Sequence, residues 1–289
     1  MPTISVNGTQ LEYIEQGRGD PLVLVHGSLG DYRSWALQLG AFAESYRTLS
    51  YSRRYHHPNP CRGDESDYSA ALHADDLAAL LTELGFESAY IVGHSYGAYT
   101  ALLLAVRHPE RVRAMVLGEP PVFPLLDDHA EGRPIRDSFL AQVWEPAGEI
   151  LQAGKLKKGI EVFVDGVVEE GAFDEFPPEV QQLILDNACE FKTETASANY
   201  WTPFTRDEAG RIATPTLLLT GEESLPMFQL IVRELERCLP NSERVVLPES
   251  THEMPADNPA AYNETVLEWL ENLETTPNGK TLEHFPPSQ

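Results

Sequence analysis

Two short runs, PLVLVHG (Pro21 to Gly27) and SAYIVGHS, are apolar at consecutive positions rather than alternate ones, and YRTLSYSRR is read as a third strand of the same kind. A strand with one wet face alternates. A strand that is apolar throughout has both faces covered, as in a parallel sheet packed between layers of helix. The segments between the runs supply such helices: YSAALHADDLAALLTELG has apolar residues three and four apart and stops at Gly85, the pattern of an amphipathic helix with a glycine end. After Gly97, AYTALLLAVRHPERV reads as a helix buried on several sides, and the strand RAMVLGEPP follows it. This alternation predicts an α/β domain with a mostly parallel sheet and helices on both faces. A hairpin, TISVNG and TQLEYIEQG turning at Asn7-Gly8, precedes the alternation.

From about Pro121 to Ile212 the strand pattern nearly disappears. SFLAQVWEPAGEILQAG, GIEVFVDGVVEEG and PPEVQQLILDNACEF are mostly of helical period, broken by Pro and Gly, which predicts a helical insertion over 121–212. TPTLLLTG, the helix PMFQLIVRELERCLP, the strand ERVVLPES and the helix NPAAYNETVLEWLENL then resume the first pattern. The core is therefore expected over 1–120 and 213–275, with 276–289 as a polar, Pro-containing and loosely held tail.

A chain of 289 residues suits one catalytic α/β domain with an insertion. Its formal charge of -24 would repel phosphate, so neither nucleic acid nor an anionic membrane surface is an expected partner. That acidity fits a well-solvated surface or salt tolerance. Cys61, Cys189 and Cys238 are widely spaced, with no CxxC pair and no His cluster of zinc-site form, so no metal is expected and a reducing compartment fits best. The N-terminus lacks a basic start and apolar stretch, and no run of about eighteen apolar residues occurs. The expected location is the cytoplasm, as a monomer or homodimer.

GHSYG, Gly93 to Gly97, falls where a buried run turns into a helix. A serine hydroxyl is a weak nucleophile at neutral pH and needs exposure at a sharp turn beside a base, and flanking glycines leave room for that turn. Ser95 is the candidate nucleophile. His252, in LPESTHEMPADNP between the last strand and the final helix, is the candidate base on the same edge of the sheet. An oxyanion needs oriented backbone donors. One is the N–H of Tyr96, at the start of the helix after Ser95. The other lies in HGSLGDYRSW, with Ser28 first and Leu29 second, unless that stretch is only a strand-to-helix loop.

HGSLGDYRSW, GHSYGAYTALLLA, HPERVRAMVL, TPTLLLTG and STHEMPADNPAAYNETVLEWL together resemble the α/β-hydrolase superfamily over nearly the whole chain apart from insertion and tail. The resemblance implies an eight-stranded, mostly parallel sheet and a helical cap inserted after strand six. It also implies a serine–histidine–acid triad that needs no metal or organic cofactor. By motif, Ser95 maps to the nucleophile, His252 to the base, and Ser28 and Tyr96 to the oxyanion donors. Similar proteins that hydrolyse epoxides or haloalkanes carry a carboxylate at the position of Ser95, so those chemistries are disfavoured.

The acid departs from the usual pattern. Most similar members place it as Gly-x-x-Asp after strand seven, where this chain has Gly221, Glu222, Glu223 and Ser224. A serine cannot balance an imidazolium charge. Glu119, in VLGEPP at the end of the neighbouring strand, is the leading substitute; zearalenone lactonases and some haloalkane dehalogenases have a glutamate at that place. Glu222, Glu223 and Asp257 are the competitors.

For substrate contact, Arg53 in YSRRYHHPNP, with Arg54, His56 and His57, is a candidate for an anionic group, or else part of a solvated loop. Leu29 beside the donor loop, and Trp201 and Phe204 near the return into the sheet, are candidate apolar contacts. These residues together point to hydrolysis of a carboxylic ester or lactone of a medium-sized, partly apolar small molecule. Carbon–carbon bond hydrolysis of a diketone and a non-catalytic ligand receptor on the same fold are the alternatives.

Overall fold

A computed structural model describes residues 1–63 and 67–275. The tail predicted at 276–289 lies outside the described residues. Eight strands form one open sheet: β1 Thr3–Val6, β2 Thr9–Gln16, β3 Pro21–Val25, β4 Arg47–Tyr51, β5 Ala89–His94, β6 Val112–Gly118, β7 Thr216–Gly221 and β8 Ser242–Leu247. Their order is β1-β2-β4-β3-β5-β6-β7-β8. β1 and β2 pair antiparallel, as do β2 and β4; from β4 to β8 every pairing is parallel. Asn7 and Gly8 both have positive φ at the hairpin turn, the backbone that a two-residue connection of this hand requires.

Helices α1 Ala36–Phe42, α2 Ala70–Glu83 and α3 Tyr96–Arg107 connect the first parallel strands. Between β6 and β7 the chain forms α4 Gly132–Phe139, α5 Glu145–Gln152, α6 Leu156–Val167, α7 Ala172–Glu175, α8 Pro178–Asp186, α9 Ala188–Ala196 and α10 Arg206–Ala209. After β7 come α11 Pro226–Cys238, α12 Met254–Asp257 and α13 Pro259–Thr275. Ser69 caps α2 by accepting the N–H of Leu72, a contact of about 1 kcal/mol.

Alternate residues of one strand feed different cores. Val23 and Val25 of β3 join Leu49, Ile91, Met115 and Leu218 in one buried cluster with α2 and α3. Leu22 and Leu24 join Val92, Val116, Leu217 and Leu219 in another with Trp35, Tyr262 and Trp269. The apolar runs are continuous because both faces are covered, and each fully buried aliphatic side chain contributes roughly 1.5–3 kcal/mol. Parallel register also aligns the strand ends: Val25 sits beside Gly93, His94 beside Gly118, and Gly118 beside Leu219. Strand order reverses between β3 and β5, so the loops leaving these ends open a crevice there.

Cys61 and Cys189 are joined in a disulfide across a sequence separation of 128, leaving Cys238 as a free thiol among the described residues. The expectation of a reducing compartment rested on unpaired cysteines, and the pairing removes that ground. Wide spacing misled because the loop that carries Cys61, between β4 and α2, and the start of α9 meet only in the folded chain. No helix among the described residues is long and apolar enough to cross a membrane.

Candidate active site

Ser95 stands between β5 and α3 with φ 52 and ψ -124, a backbone conformation that costs a non-glycine residue on the order of 1–3 kcal/mol. The surroundings hold it there: its N–H donates to Gly118 O at 2.7 Å, and its carbonyl accepts from Ala98 and Tyr99. The turn also needs bare backbone beside it. A Cβ on Gly97 would lie 2.1 Å from Val25 O, and one on Gly27 would lie 2.9 Å from Ser95 Cβ. Ser95 itself keeps partial exposure.

His252 enters from the loop between β8 and α12 and is 3% exposed. Its Nδ1 lies 2.7 Å from Glu119 Oε2. A carboxylate oxygen accepts, so Nδ1–H donates and Nε2 is left with its lone pair. Phe228 of α11 stacks on the imidazole with centroids 4.0 Å apart. His94, the residue before Ser95, donates from Nε2 to His252 O at 2.7 Å, tying the loop that carries the imidazole to the end of β5.

Glu119 follows β6 with φ 44 and no exposed surface. Its Oε1 accepts from Thr220 Oγ1 at 2.6 Å and from the N–H of Gly221 at 3.1 Å. With His252 on Oε2, both oxygens are satisfied by donors from β7 and the β8 loop. The competing carboxylates are elsewhere. Glu222 and Glu223 are exposed, and Asp257 accepts from the N–H and Oγ1 of Thr251. Ser224 is buried and its Oγ has no hydrogen-bond partner.

The loop after β3 is gripped from beneath. Leu29 has φ 57, and Arg53 donates from Nε to His26 O at 3.0 Å and from Nη2 to Gly27 O at 3.0 Å. Arg53 also donates from Nη1 to Tyr68 Oη at 3.2 Å and lies over the Tyr96 ring. At 1% exposure it cannot receive a substrate anion; the expected role is corrected to bracing the loop. Arg54 is likewise committed, to Asp76 at 2.6 and 2.7 Å. His26 and His56 are buried, and His56 Nδ1 donates to Gly30 O at 2.7 Å. Burial lowers both imidazoles well below the ordinary range, so neither adds a positive charge near neutral pH. His73, on α2, is fully buried as well.

Leu29 is 4% exposed and belongs to the core, so its side chain offers no surface to a substrate. Phe204, at 2% exposed, is inside for the same reason: both are apolar and packed from all sides. Trp201 keeps partial exposure and stacks on Phe123 at 4.3 Å. These two line a cavity of about 260 Å³ with Pro124, Leu140 and Arg136. A larger groove, about 620 Å³, is lined by Asn7, Asp75, Thr82, His108 and Arg111, at the far end of α3 from Ser95. A helix of that length spans about 18 Å, so this groove is not part of the serine site.

Thr220, Phe228 and His94 were missed in the sequence. Only His94 carried a signal, through its place inside GHSYG. His94, His252 and Glu253 bring potential ligand atoms within 4.8 Å of one another; each imidazole has one nitrogen committed to the bonds above, which leaves a metal only the other.

A family model described as the alpha/beta hydrolase family matches residues 22–265. Epoxide hydrolase 3 of Mus musculus is 25% identical over 286 residues, covering 94% of this chain and 77% of that protein. Bifunctional epoxide hydrolase 2 of Sus scrofa is 22% identical, and the chain spans only 55% of its length. Among solved structures, Est816, described as an N-acyl homoserine lactone degrading enzyme, superposes with a TM-score of 0.76 at 23% identity, over 93% of this chain and 100% of that one. The family match runs from β3 into α13 and takes in strands β3 to β8 with everything between them, and the chain belongs to the α/β-hydrolase family.

Proposed function

We propose that the protein is a serine hydrolase that cleaves a carboxylic ester or lactone of a medium-sized, partly apolar small molecule through an acyl-enzyme. The observation that carries this reading is the bond from His252 Nδ1 to Glu119, which fixes the tautomer and leaves Nε2 as a base on the sheet edge that also carries Ser95. In this reading Nε2 takes the proton of Ser95 as Oγ attacks the carbonyl carbon. The backbone N–H groups of Ser28 and Tyr96 hold the oxyanion, and the imidazolium returns its proton to the leaving alcohol. Water, deprotonated by the same nitrogen, then releases the acid. Glu119 orients the ring and balances its transient charge, in the place of an aspartate after β7. The helical segment between β6 and β7 acts as the cap, with Trp201 on its substrate side.

Relatives named as epoxide hydrolases raise a competing chemistry, and Ser95 weighs against it. A carboxylate that opens an epoxide leaves an ester, which water can hydrolyse. A serine would leave an ether, with no carbonyl for water to attack, and the enzyme would stall after one turnover. The lactone activity named for Est816 fits the acyl-serine route. The test pairs a fluorophosphonate probe with a panel of p-nitrophenyl esters and acyl lactones, on wild type and Ser95→Ala. Wild type is expected to label and turn over, and Ser95→Ala to do neither, with a loss on the order of 10⁶ in kcat. Absence of both labelling and turnover in wild type would sink the proposal.

A further inference from the structure

Glu190 and Glu194 stand one helical turn apart on α9, and neither exposes any surface. Four residues apart, they put their carboxyl groups on one face of the helix, where each feels the charge of the other. Glu194 Oε1 accepts from the hydroxyl of Ser28. Glu190 Oε1 accepts from Tyr68 Oη at 2.5 Å and lies 3.0 Å from His56 Nε2. The second oxygen of each, Glu190 Oε2 and Glu194 Oε2, meets no donor. The pair therefore touches the loop of the candidate oxyanion donors at Ser28.

The protons available do not suffice for two carboxylates. An ionised carboxyl only accepts, so neither of the pair can meet the unpartnered oxygen of the other unless one carries a hydrogen. His56 spends its hydrogen on Gly30 O, so Nε2 is a further acceptor. The titratable and charged groups around the pair are Arg53 and His56 after β4, Tyr68 before α2, Tyr96 on α3 and Tyr200 after α9, with His73 on α2 behind His56 and Tyr68. Burial and the neighbouring Arg53 hold both histidines well below the ordinary imidazole range, which leaves Arg53 as the cation among them. Two carboxyls with one proton carry one negative charge and match it; two bare carboxylates would exceed it in a dry interior.

We propose that Glu190 and Glu194 hold a proton between them and act as a positioning pair, clamping Ser28 and with it the oxyanion loop against α9. The pair rests on the hydrolase reading for its consequence, but its existence can be tested without turnover. Burial, reinforced by the charge of Glu190, raises Glu194 well above the ordinary carboxylate range, so the proposed clamp outlasts the pH at which an ordinary carboxyl ionises and is lost only as a higher pH removes the proton. Two charges then repel within α9, and the repulsion pushes the Glu194 carboxylate, with the Ser28 hydroxyl that donates to it, out of its place.

The experiment uses full-length protein labelled with carbon-13 at the glutamate carboxyl. Infrared spectra at neutral pH are expected to show a protonated carboxyl stretch, bleaching at alkaline pH and absent in Glu194→Gln. In turnover, Glu194→Ala should lower kcat about 10²-fold with little change in KM, because oriented donors act in the transition state. Glu194→Gln should recover most of that loss and remove the alkaline limb, since an amide donates to Glu190 and accepts from Ser28 without titrating. A wild-type spectrum with no protonated carboxyl that Glu194→Gln removes would overturn the proposal, whatever the protein hydrolyses. So would a Glu194→Gln profile with the wild-type alkaline limb intact. If no ester or lactone is turned over, the hydrolase reading fails and the spectrum alone decides the pair.

Discussion

Glu119, at the end of β6, and Glu190 with Glu194, on α9, are all carboxyl groups without exposed surface, and their surroundings differ in the donors each oxygen meets. Glu119 has Thr220 and Gly221 on one oxygen and His252 on the other. Glu190 and Glu194 each have an oxygen with none. The sheet edge supplies donors because successive strand ends bring backbone N–H groups and side chains to one line, whereas α9 has spent its own N–H groups on the helix. Burial alone does not set what a carboxyl group can do: the count of donors decides whether it serves as a fixed negative charge or must keep a proton.

This contrast can be broken at either end. The largest expected effect comes from Glu119→Gln, which puts an amide against His252 Nδ1 and lets the wrong tautomer form. A loss on the order of 10³–10⁴ in kcat is expected, read on whichever ester the panel identifies. Full retention of activity would remove Glu119 from the reaction. Thr220→Val is the next largest: the shape is kept, but Glu119 Oε1 retains only the Gly221 N–H. Leaving a buried acceptor short of a donor costs about 1–3 kcal/mol, measurable in chemical denaturation, with a smaller drop in kcat as the carboxylate loosens.

The smallest effect concerns stability against pH. The folded-state pKa of Glu194 is raised by burial and then by Glu190, so between the ordinary carboxylate range and that raised value the folded chain binds more protons than the unfolded one. Stability then falls as pH rises through this window, by at most about 1.4 kcal/mol per pH unit for one proton. Glu194→Gln should flatten this slope relative to wild type. Equal slopes in the two proteins would show that the site does not hold its proton.

The parts of this molecule that were legible from sequence follow local rules. The apolar runs became β3, β4, β5, β6 and β7 because a strand covered on both faces has no polar face to alternate with. The turn at Asn7-Gly8 and the glycines around Ser95 could be read because they answer to backbone geometry within a few residues. Single contacts were harder. Glu119 could be singled out because a charge directly after a buried strand is unusual, but Thr220 carried no such mark. The sequence placed Arg53 in an exposed role because arginine is usually solvated, and only the packing of β3, β4 and α3 around it reveals its three bonded partners.

Glu190 and Glu194 mark the limit most clearly. Their spacing on a helix was visible, and four residues apart means one face, but a pair of glutamates on a helix is ordinarily a solvated face. That this face turns inward, against Ser28 more than 150 residues earlier in the chain, depends on where the disulfide between Cys61 and Cys189 and the aromatic packing of Tyr200 on Tyr96 and Trp144 set α9 down. The sequence by itself determined the sheet, the turn at Ser95 and the residue types at the site, because periodicity and backbone sterics act over neighbours. Which carboxyl meets His252, which cysteines pair and which acids lose their water were decided by the tertiary structure alone, because hydrogen bonding and desolvation depend on atoms that the chain brings together only when folded.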